Sequence, residues 1–286
     1  MAGTPGCPIS EMFAAAETHD PFRVSAGMHF LAFSKRFGPV VLALLSCVSA
    51  QAADWSNTEF HLQLGRLDAP SFAGGGSALH VIYTLQHASG WKYGDNFFFV
   101  DVVDSRQPGS PDVDFYSEAY ANLSLGKITG DRVGAGLVSD VGLIGGFNWA
   151  LDAKVRKYVA GVRLALGLEG FAFANLDLMA LIDGSEGIVS GGAPAEDDTI
   201  LIDFNFARPF RIGTADFSLE GHIEYVGQRT NELGGTMGSW ILAQPQLQWH
   251  LTDRIALGIE YQLWINKLGD RDTDENAVQA LFVWEF

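Results

Sequence analysis

Two stretches of the sequence place aromatic and polar side chains at alternate positions. They read Phe97-x-Phe99-x-Asp101 and Phe171-x-Phe173-x-Asn175-x-Asp177. Aromatic faces stack on flat apolar rings, and carboxylate or amide oxygens accept hydrogen bonds from hydroxyl groups. Brought to one wall, such side chains could hold a flat, hydroxyl-bearing solute weakly and selectively. The alternative is that the rings only fill the interior by packing.

The same alternation runs through the chain after Ala53, in stretches closed by Gly, Asp, Pro or Ser. In 79–85 the odd-numbered residues are apolar, whereas His80 and Thr84 fall on the other face. A period of two predicts strands with one polar and one apolar face. After Ala53, no stretch approaches the roughly 18 to 20 apolar residues that a spanning helix needs. A helical membrane protein is therefore not expected.

We predict an all-β fold, a transmembrane antiparallel β-barrel of twelve strands within residues 53–286. The strands are expected near residues 57–67, 77–87, 96–104, 113–125, 132–144, 157–168, 171–182, 199–206, 215–226, 240–251, 254–265 and 277–286. Even-numbered connections include tight turns, and the odd-numbered ones include the long segments 183–198, 227–239 and 267–276. Loops separated by length and an even strand count are typical of outer-membrane barrels. A soluble β-sandwich also alternates, but it has no reason to separate its loops in this way.

The N-terminal part is predicted to be removed during export. Lys35 and Arg36 precede a short apolar stretch, and Ala50-Gln51-Ala52 follows it as a small-x-small cleavage site. This is the order of a secretory signal peptide. We therefore predict a signal peptide at 28–52, with cleavage before Ala53.

Residues 1–27 lack any pattern, and we interpret them as a spurious extension upstream of Met28. One alternative to the signal peptide is an uncleaved membrane anchor, although the apolar stretch is short for one. Another is a lipidated N-terminus at Cys47, because Leu44-Leu45-Ser46-Cys47 is similar to a lipobox.

The chain is acidic, with a formal net charge of −16. Nucleic-acid binding needs clustered Lys and Arg, so neither DNA nor RNA is expected as a partner. Both cysteines, Cys7 and Cys47, precede the predicted cleavage site. The mature chain is therefore expected to hold no disulfide and no thiolate metal site.

The sequence carries no evident catalytic set, and we expect neither an enzyme nor a bound cofactor or metal. His61, His80, His222 and His250 could act as bases. However, no serine beside them sits in a nucleophile motif, and no clustered pair of histidines suggests a metal. Asp270-x-Asp272-x-Asp274 resembles the start of a calcium loop but lacks the rest of that motif.

Alternation also predicts which side chains line the lumen. The candidate solute-binding residues are Phe97, Phe99, Asp101, Tyr116, Glu118, Tyr120, Phe171, Phe173, Asn175, Asp177, Glu260, Trp264 and Asn266. Carboxylates are in excess on this face, which disfavours anions such as phosphate-bearing solutes. Charged walls are nevertheless common in porins of every kind.

The chain ends in alternating aromatic residues, with Phe282, Trp284 and Phe286 on one face. A terminal Phe of this kind is expected to bind the machinery that assembles outer-membrane barrels. Trp249, at the same predicted depth as Trp284, fits an aromatic girdle at the periplasmic interface.

Several segments in order resemble the Tsx-type family of nucleoside-specific channels and phage receptors. They are Gly94-Asp95-Asn96-Phe97-Phe98-Phe99, Tyr116-Ser117-Glu118, Leu123-Ser124-Leu125, Gly170-Phe171-Ala172-Phe173 with Asn175, Leu257-Gly258-Ile259-Glu260-Tyr261-Gln262 with Trp264, Asn266-Lys267 with Gly269, Asp274-Glu275 and Trp284-Glu285-Phe286. The resemblance implies a monomeric twelve-stranded outer-membrane barrel whose narrow lumen binds and passes nucleosides. It also implies that the outer loops could bind a bacteriophage.

Three functions remain open at this point. The first is a nucleoside-type channel, the second is a receptor whose outer loops bind a ligand such as a phage, and the third is an unselective porin for small solutes. All three place the chain in the outer membrane of a Gram-negative bacterium, in contact with lipid and lipopolysaccharide.

Overall fold

The computed structural model describes residues 53–106 and 112–286, which form a closed antiparallel β-barrel, as predicted. The predicted signal peptide and upstream extension, at 28–52 and 1–27, lie outside the described residues. The strands are β1 (Trp55–Asp68), β2 (Ser77–Trp91), β3 (Gly94–Ser105), β4 (Asp112–Ser124), β5 (Val138–Ala150), β6 (Val155–Leu166), β7 (Phe173–Asp183), β8 (Thr199–Ile212), β9 (Ala215–Val226), β10 (Arg229–Thr230), β11 (Thr236–Met237), β12 (Trp240–Ala243), β13 (Gln246–Thr252), β14 (Ile255–Ile265) and β15 (Glu275–Glu285). Neighbouring strands pair in order, and β15 pairs with β1 to close the barrel.

The tenth predicted strand, 240–251, is one stave of the barrel, by which we mean one strand position in its wall, but it is interrupted. Its two parts, β12 and β13, both pair with β9 and with β14. The interruption falls at Gln244 and Pro245, where proline has no N–H to donate to a neighbouring strand. Gly221 on β9 faces it with φ 137°, and a Cβ there would lie 2.2 Å from the Gln244 carbonyl oxygen. The short β10 and β11 form a hairpin outside the barrel wall, so the wall has twelve staves.

The predicted fifth strand, 132–144, was placed six residues too early, because β5 occupies Val138–Ala150. A short helix, α1 (Leu125–Thr129), follows β4 instead, and the Ser124 hydroxyl caps it by accepting from the Lys127 N–H at 2.9 Å. The Asp140 carboxylate accepts from the Gly126 N–H at 2.8 Å and holds this turn against β5.

This shift changes two connections. The fourth connection is long, at 125–137, and the fifth is short, at 151–154, so the predicted alternation of loop lengths was wrong for this pair. The eighth strand is also longer than predicted, since β8 stays paired with β9 as far as Ile212. Within the described residues, every helix is too short or too polar to cross a membrane.

The barrel has two distinct ends. We call one the short-turn end, because two-residue turns at 92–93, 213–214 and 253–254 close it. We call the other the long-loop end, after the segments 184–198 and 227–239.

The two long segments are fastened to each other. The Glu232 carboxylate accepts from the N–H groups of Ile188 at 2.7 Å and Ala195 at 2.8 Å. Glu196 accepts from Lys157 at 2.7 Å and from Arg229 at 2.6 Å, with the Arg229 side chain only 3% exposed. Removing the carboxylate would leave this buried cation without a partner, which is strongly destabilising.

Polar and apolar side chains are distributed in the opposite sense to that in a soluble protein. On β14, Leu257 and Ile259 are 44% and 47% exposed, whereas Glu260 and Gln262, which follow them on the other face, are 3% and 5% exposed. The outer face is therefore an apolar belt, and the inner face is polar. Aromatic rings gather on the outer face near the short-turn end, where Phe217 stacks on Trp249 at 6.5 Å and Trp284 contacts Phe286 at 4.8 Å.

Candidate functional site

The first aromatic motif forms one wall of the lumen at mid-depth. The pairing of β3 with β4 sets Phe97 opposite Tyr120, Phe99 opposite Glu118 and Asp101 opposite Tyr116. We call these six residues the aromatic wall. The rings of Phe97 and Phe99 are 6.1 Å apart, and those of Phe99 and Tyr116 are 5.9 Å apart. Six residues that the sequence predicted as a site are thus brought together.

Carboxylates stand between these rings and are held by neighbouring donors. Glu118 accepts from the hydroxyl groups of Tyr116 at 2.5 Å and Tyr120 at 2.9 Å, and from the Asn148 amide at 3.1 Å. The Thr84 hydroxyl donates to Asp101 at 2.6 Å. These hydrogen bonds fix the direction of each carboxylate, and the rings of the aromatic wall lie beside it.

Glycine on the next strand makes room for this wall. Gly146 on β5 pairs with Tyr120 on β4. A Cβ at Gly146 would lie 2.4 Å from the Tyr120 ring carbon Cδ1, closer than two carbon atoms can pack. The small residues of β5 are therefore needed to let the larger aromatic side chains of β4 lie flat in the lumen.

A second wall is built around Glu260 on β14, which is buried by glutamine side chains. Its carboxylate accepts from the amides of Gln63 at 2.7 Å, Gln246 at 2.7 Å, Gln279 at 2.8 Å and Gln244 at 3.4 Å. We call these five residues the glutamine cluster. Gln63 on β1 reaches Glu260 past the intervening strand β15, so the cluster spans adjacent strands of one wall.

Histidine and carboxylates on β8 and β9 complete the mid-depth ring. His222 lies between Asp203 and Gln244, with both contacts at 3.0 Å. Glu224 accepts from the Trp240 indole N–H at 3.2 Å. The aromatic wall and these residues lie on different sides of the barrel, because β5, β6 and β7 stand between β4 and β8 in the strand order.

The second aromatic motif is arranged differently. Asp177 is 2% exposed and accepts two hydrogen bonds from Arg163 on β6, at 2.8 and 2.7 Å. Asn175 donates to Asn205 at 2.9 Å, and Asn205 donates in turn to Asp177 at 3.1 Å. The polar half of the motif is thus occupied by its own neighbours.

Arg163 was not among the residues that the sequence predicted for the site. Its guanidinium also donates to Asp95 on β3 at 2.9 Å, so it crosses the lumen past β4 and β5. The sequence did carry a signal for its inward direction, because the opposite face of this strand is apolar from Tyr158 to Leu166. Alternation gives the face of such a residue but not its partners.

The aromatic half of this motif lies outside the lumen centre. Phe173 begins β7 at the short-turn end and is 48% exposed. Phe171 precedes the strand, contacts the Phe206 ring at 6.2 Å and lies 5.5 Å from the Arg208 guanidinium. Since Phe206 is on the opposite face of β8 from inward Asn205, the prediction that Phe171 lines the lumen was wrong. The glycine turn before β7, with Gly170 at φ 82°, breaks the parity there.

The last two predicted site residues lie near the long-loop end. Trp264 is inward, with its ring 6.2 Å from Trp240 and 5.1 Å from the Lys267 ammonium. Asn266 follows the end of β14 with φ 52°, and its side chain donates to the Ser239 carbonyl at 2.8 Å. The prediction that Asn266 lines the lumen was therefore wrong, because it holds a turn between loops.

Part of the lumen is apolar, which the sequence did not predict. A buried cluster on β5 to β9 faces inward near the long-loop end, with Tyr120 and Trp240 packed against it. Its members are Ile144, Val159, Met179, Leu181, Leu201 and Val226. Apolar residues stand on both faces of β7, so alternation could not reveal that this section is filled.

The charges of the mid-depth lumen are predominantly negative. Its inward carboxylates are Glu59, Asp101, Glu118, Asp203, Glu220, Glu224 and Glu260. Histidines are their basic neighbours, since His61 lies 2.8 Å from Glu59 and His222 lies beside Asp203. Arg163 is neutralised by Asp95 and Asp177. In the part of the chain that the structure describes, no group of three or more His, Cys, Asp or Glu side chains is arranged to hold a metal ion.

The fold and this lumen define the class of the protein as a closed twelve-stave β-barrel with a polar interior and an apolar exterior. No family model matches the chain, and a search of curated proteins found no match. The Tsx-type resemblance therefore stays a prediction.

Solved structures with a similar fold were found at low sequence identity. A KdgM porin is 8% identical, with a TM-score of 0.45 over 80% of this chain and 99% of that one. A NanC porin is 10% identical, with a TM-score of 0.47 over 79% of this chain and 100% of that one. An outer-membrane channel from Pseudomonas putida F1 is 7% identical, with a TM-score of 0.48 over 83% and 97%.

Proposed function

We propose that the chain is an outer-membrane channel for the passive uptake of small solutes, made with a signal peptide at 28–52. The apolar belt outside and the charged lumen inside support a barrel that spans lipid. In this orientation the long-loop end faces outward and the short-turn end faces the periplasm. Phe286 is 63% exposed on the outer face beside Trp284, where the assembly machinery could bind it.

We further propose that the preferred solutes are nucleosides or similar small neutral molecules. The observation that carries this proposal is the aromatic wall, where Phe97, Phe99 and Tyr116 stand beside the carboxylates of Asp101 and Glu118. A nucleoside has a flat base that stacks on such rings and a ribose whose hydroxyls donate to such carboxylates.

Two features of the lumen favour weak binding and exclude anions. The carboxylates already accept hydrogen bonds from neighbouring side chains, so a solute has to replace existing bonds and gains little net free energy. Such weak binding suits a channel, because a solute that enters must also leave. The negative charge of the mid-depth lumen repels nucleotides, which differ from nucleosides by their phosphate.

Liposome swelling with adenosine, AMP and ribose tests this proposal. We expect adenosine to enter faster than ribose, because only adenosine has a base to stack on the aromatic wall, and AMP to enter slowest. Liposomes without protein give the background. Equal rates for all three solutes would leave an unselective porin as the function.

A second candidate function is a receptor that acts through its outer loops. Val189 and Leu233 are 90% and 65% exposed on the two segments that Glu232 fastens together. Such apolar residues on a fixed surface favour a binding partner such as a bacteriophage. Adsorption of a panel of phages to cells producing the V189D/L233D variant tests this, since lost adsorption with normal adenosine swelling would indicate a receptor.

A further inference from the structure

A cavity of about 490 Å³ opens on the outer surface of the barrel near the long-loop end. Its walls are formed by β5, β6, the turn that joins them and the loop that follows β7. Its walls include the rings of Phe147, Trp149 and Tyr158, the cations Lys154 and Arg156, and one carboxylate, Glu186. None of these residues belongs to the lumen.

The aromatic floor of this cavity faces away from the barrel. Phe147 pairs with Tyr158 and Trp149 pairs with Arg156 across β5 and β6. Phe147 is 42% exposed, Tyr158 45% and Trp149 47%. Asn148, between Phe147 and Trp149 on β5, is 8% exposed and points inward. At this height a spanning barrel presents its outer aromatic residues to the lipid interface.

Two cations stand at the rim above this floor. The Arg156 guanidinium donates to the Gly184 carbonyl at 3.1 and 2.7 Å and lies 6.0 Å from the Tyr158 ring. The Lys154 ammonium donates to the Ser190 carbonyl. Neither cation takes part in an ion pair with any residue that the structure describes.

We propose that this cavity binds one lipopolysaccharide molecule of the outer leaflet. Its acyl chains lie against Phe147, Trp149 and Tyr158, and one of its phosphates is held by Lys154 and Arg156. The complementarity is one of charge, because Lys154 and Arg156 outnumber Glu186, the one carboxylate among the described residues that line the cavity, on a chain whose net charge is −16. Phosphate oxygens accept charge-assisted hydrogen bonds from guanidinium and ammonium groups. The inference rests on the proposed outer-membrane orientation.

The chain offers a matched control at the opposite end. Lys92 lies 5.0 Å from the Tyr93 ring in a turn of the short-turn end. It is also a cation over an aromatic ring, but it would face the periplasmic leaflet. Lys154 has φ 51°, a conformation that asparagine also adopts readily. Lys154→Asn therefore removes the charge while keeping the turn.

The test is native mass spectrometry of the folded protein with deep-rough lipopolysaccharide and with the same lipid after removal of its phosphates. We expect the parental protein to retain one lipopolysaccharide and to bind the dephosphorylated lipid about tenfold more weakly, since a hydrogen bond to a charged group contributes about that factor. The K154N/R156Q variant should lose binding to a similar extent, and Lys92→Gln should keep it. Folding is checked by heat-modifiable gel mobility.

Equal binding of the phosphorylated and dephosphorylated lipids by the parental protein would overturn the proposal, whatever the variants do. Retention of lipopolysaccharide by a folded K154N/R156Q variant would overturn it as well, and equal retention of phosphatidylglycerol would contradict the choice of lipopolysaccharide. Adenosine swelling is measured on the same samples. Selective swelling without lipid binding rejects this site alone, whereas lipid binding without selective swelling rejects the nucleoside channel alone.

Discussion

The two aromatic motifs look alike in sequence but differ in the folded barrel. In the first, Phe97, Phe99 and Asp101 remain together on one wall, with Tyr116 and Glu118 opposite them. In the second, Asp177 is buried against Arg163, and Phe171 lies on the outer surface. The difference comes from the neighbouring strands, because β4 supplies tyrosines and a carboxylate whereas β6 supplies a guanidinium. A motif on one strand therefore becomes a candidate binding site only if the neighbouring strands leave its carboxylates partly exposed and without an ion pair, as they do for Asp101 but not for Asp177.

The largest expected effect concerns stability in the second motif. Arg163→Met leaves the buried Asp177 without its cation, and removing one partner of a buried pair costs about 3 to 5 kcal/mol. We expect urea unfolding in lipid vesicles, followed by tryptophan fluorescence, to shift to a clearly lower midpoint. Arg211→Met is the matched control, because Arg211 donates in the same two-fold manner to Asp216 on the exposed surface. Equal midpoints for the two variants would show that the Arg163 cluster is not structural.

The next effect concerns solute binding in the first motif. Phe99→Ala should weaken adenosine binding by about 1 to 3 kcal/mol, as found for aromatic residues on which nucleic-acid bases stack. Phe173→Ala, from the second motif, should leave it unchanged because Phe173 lies at the short-turn end. Uptake of labelled adenosine by cells measures both. If Phe99→Ala removes the heat-modifiable folded band, Phe99 supports the barrel and not the solute.

A smaller effect is expected for charge selection at the aromatic wall. Tyr116 and Tyr120 donate to different oxygens of Glu118, so Glu118→Gln keeps an acceptor oxygen for one of the two hydroxyls and removes one negative charge. The barrier to AMP should fall by up to about 1 kcal/mol, the size of one charge–charge interaction at 4 Å in water. Glu169→Gln, in an exposed turn at the short-turn end, is the control. A reversal potential in a potassium chloride gradient that is the same for both variants would contradict a role for Glu118 in excluding anions.

The smallest effect concerns a carboxylate outside the barrel wall, at the long-loop end. Hydrogen bonds from the Thr273 hydroxyl and the Ser71 N–H lower the pKa of Asp270 to about 2 from its usual 3.8. A lowered pKa stabilises the folded loop above pH 3.8, and this contribution is lost as the pH falls toward 2. We expect acid to lower the protection of the Ser71 amide against hydrogen exchange, measured relative to its intrinsic exchange rate at the same pH, while the barrel strands stay protected. Asp270→Asn should show fast exchange at neutral pH already, and unchanged exchange would contradict the contact.

The sequence predicted the barrel and most inward faces because a period of two is a strong signal over twelve staves. It placed Phe99, Glu118 and Glu260 on the inner face, where the structure also has them. It could not predict that glutamines from β1, β13 and β15 surround Glu260, because partners far apart along the chain follow from register and closure. Register is set by pairing across strands and is not visible within one strand.

The boundaries that failed share a physical cause. Arg132 to Ser139 alternates like a strand, but the Ser124 cap and Gly130 at φ 77° commit the chain to a helix and a turn first. Phe171 has inward parity by counting, but it lies in the turn before β7, where its N–H donates to the Leu168 carbonyl at 3.2 Å and Gly170 has φ 82°. In both places a local turn overrides the alternation, because a left-handed residue ends the extended backbone on which parity counting depends.

Single-channel conductance of the parental protein and of Phe99→Ala in planar bilayers, during titration with adenosine and then AMP, tests the central claim most directly. The account predicts that adenosine reduces the parental current in a saturable way, that AMP does so only weakly, and that Phe99→Ala needs a higher adenosine concentration for the same reduction. A parental current that adenosine leaves unchanged, or one that both solutes reduce equally in both proteins, would contradict the aromatic wall as a nucleoside site.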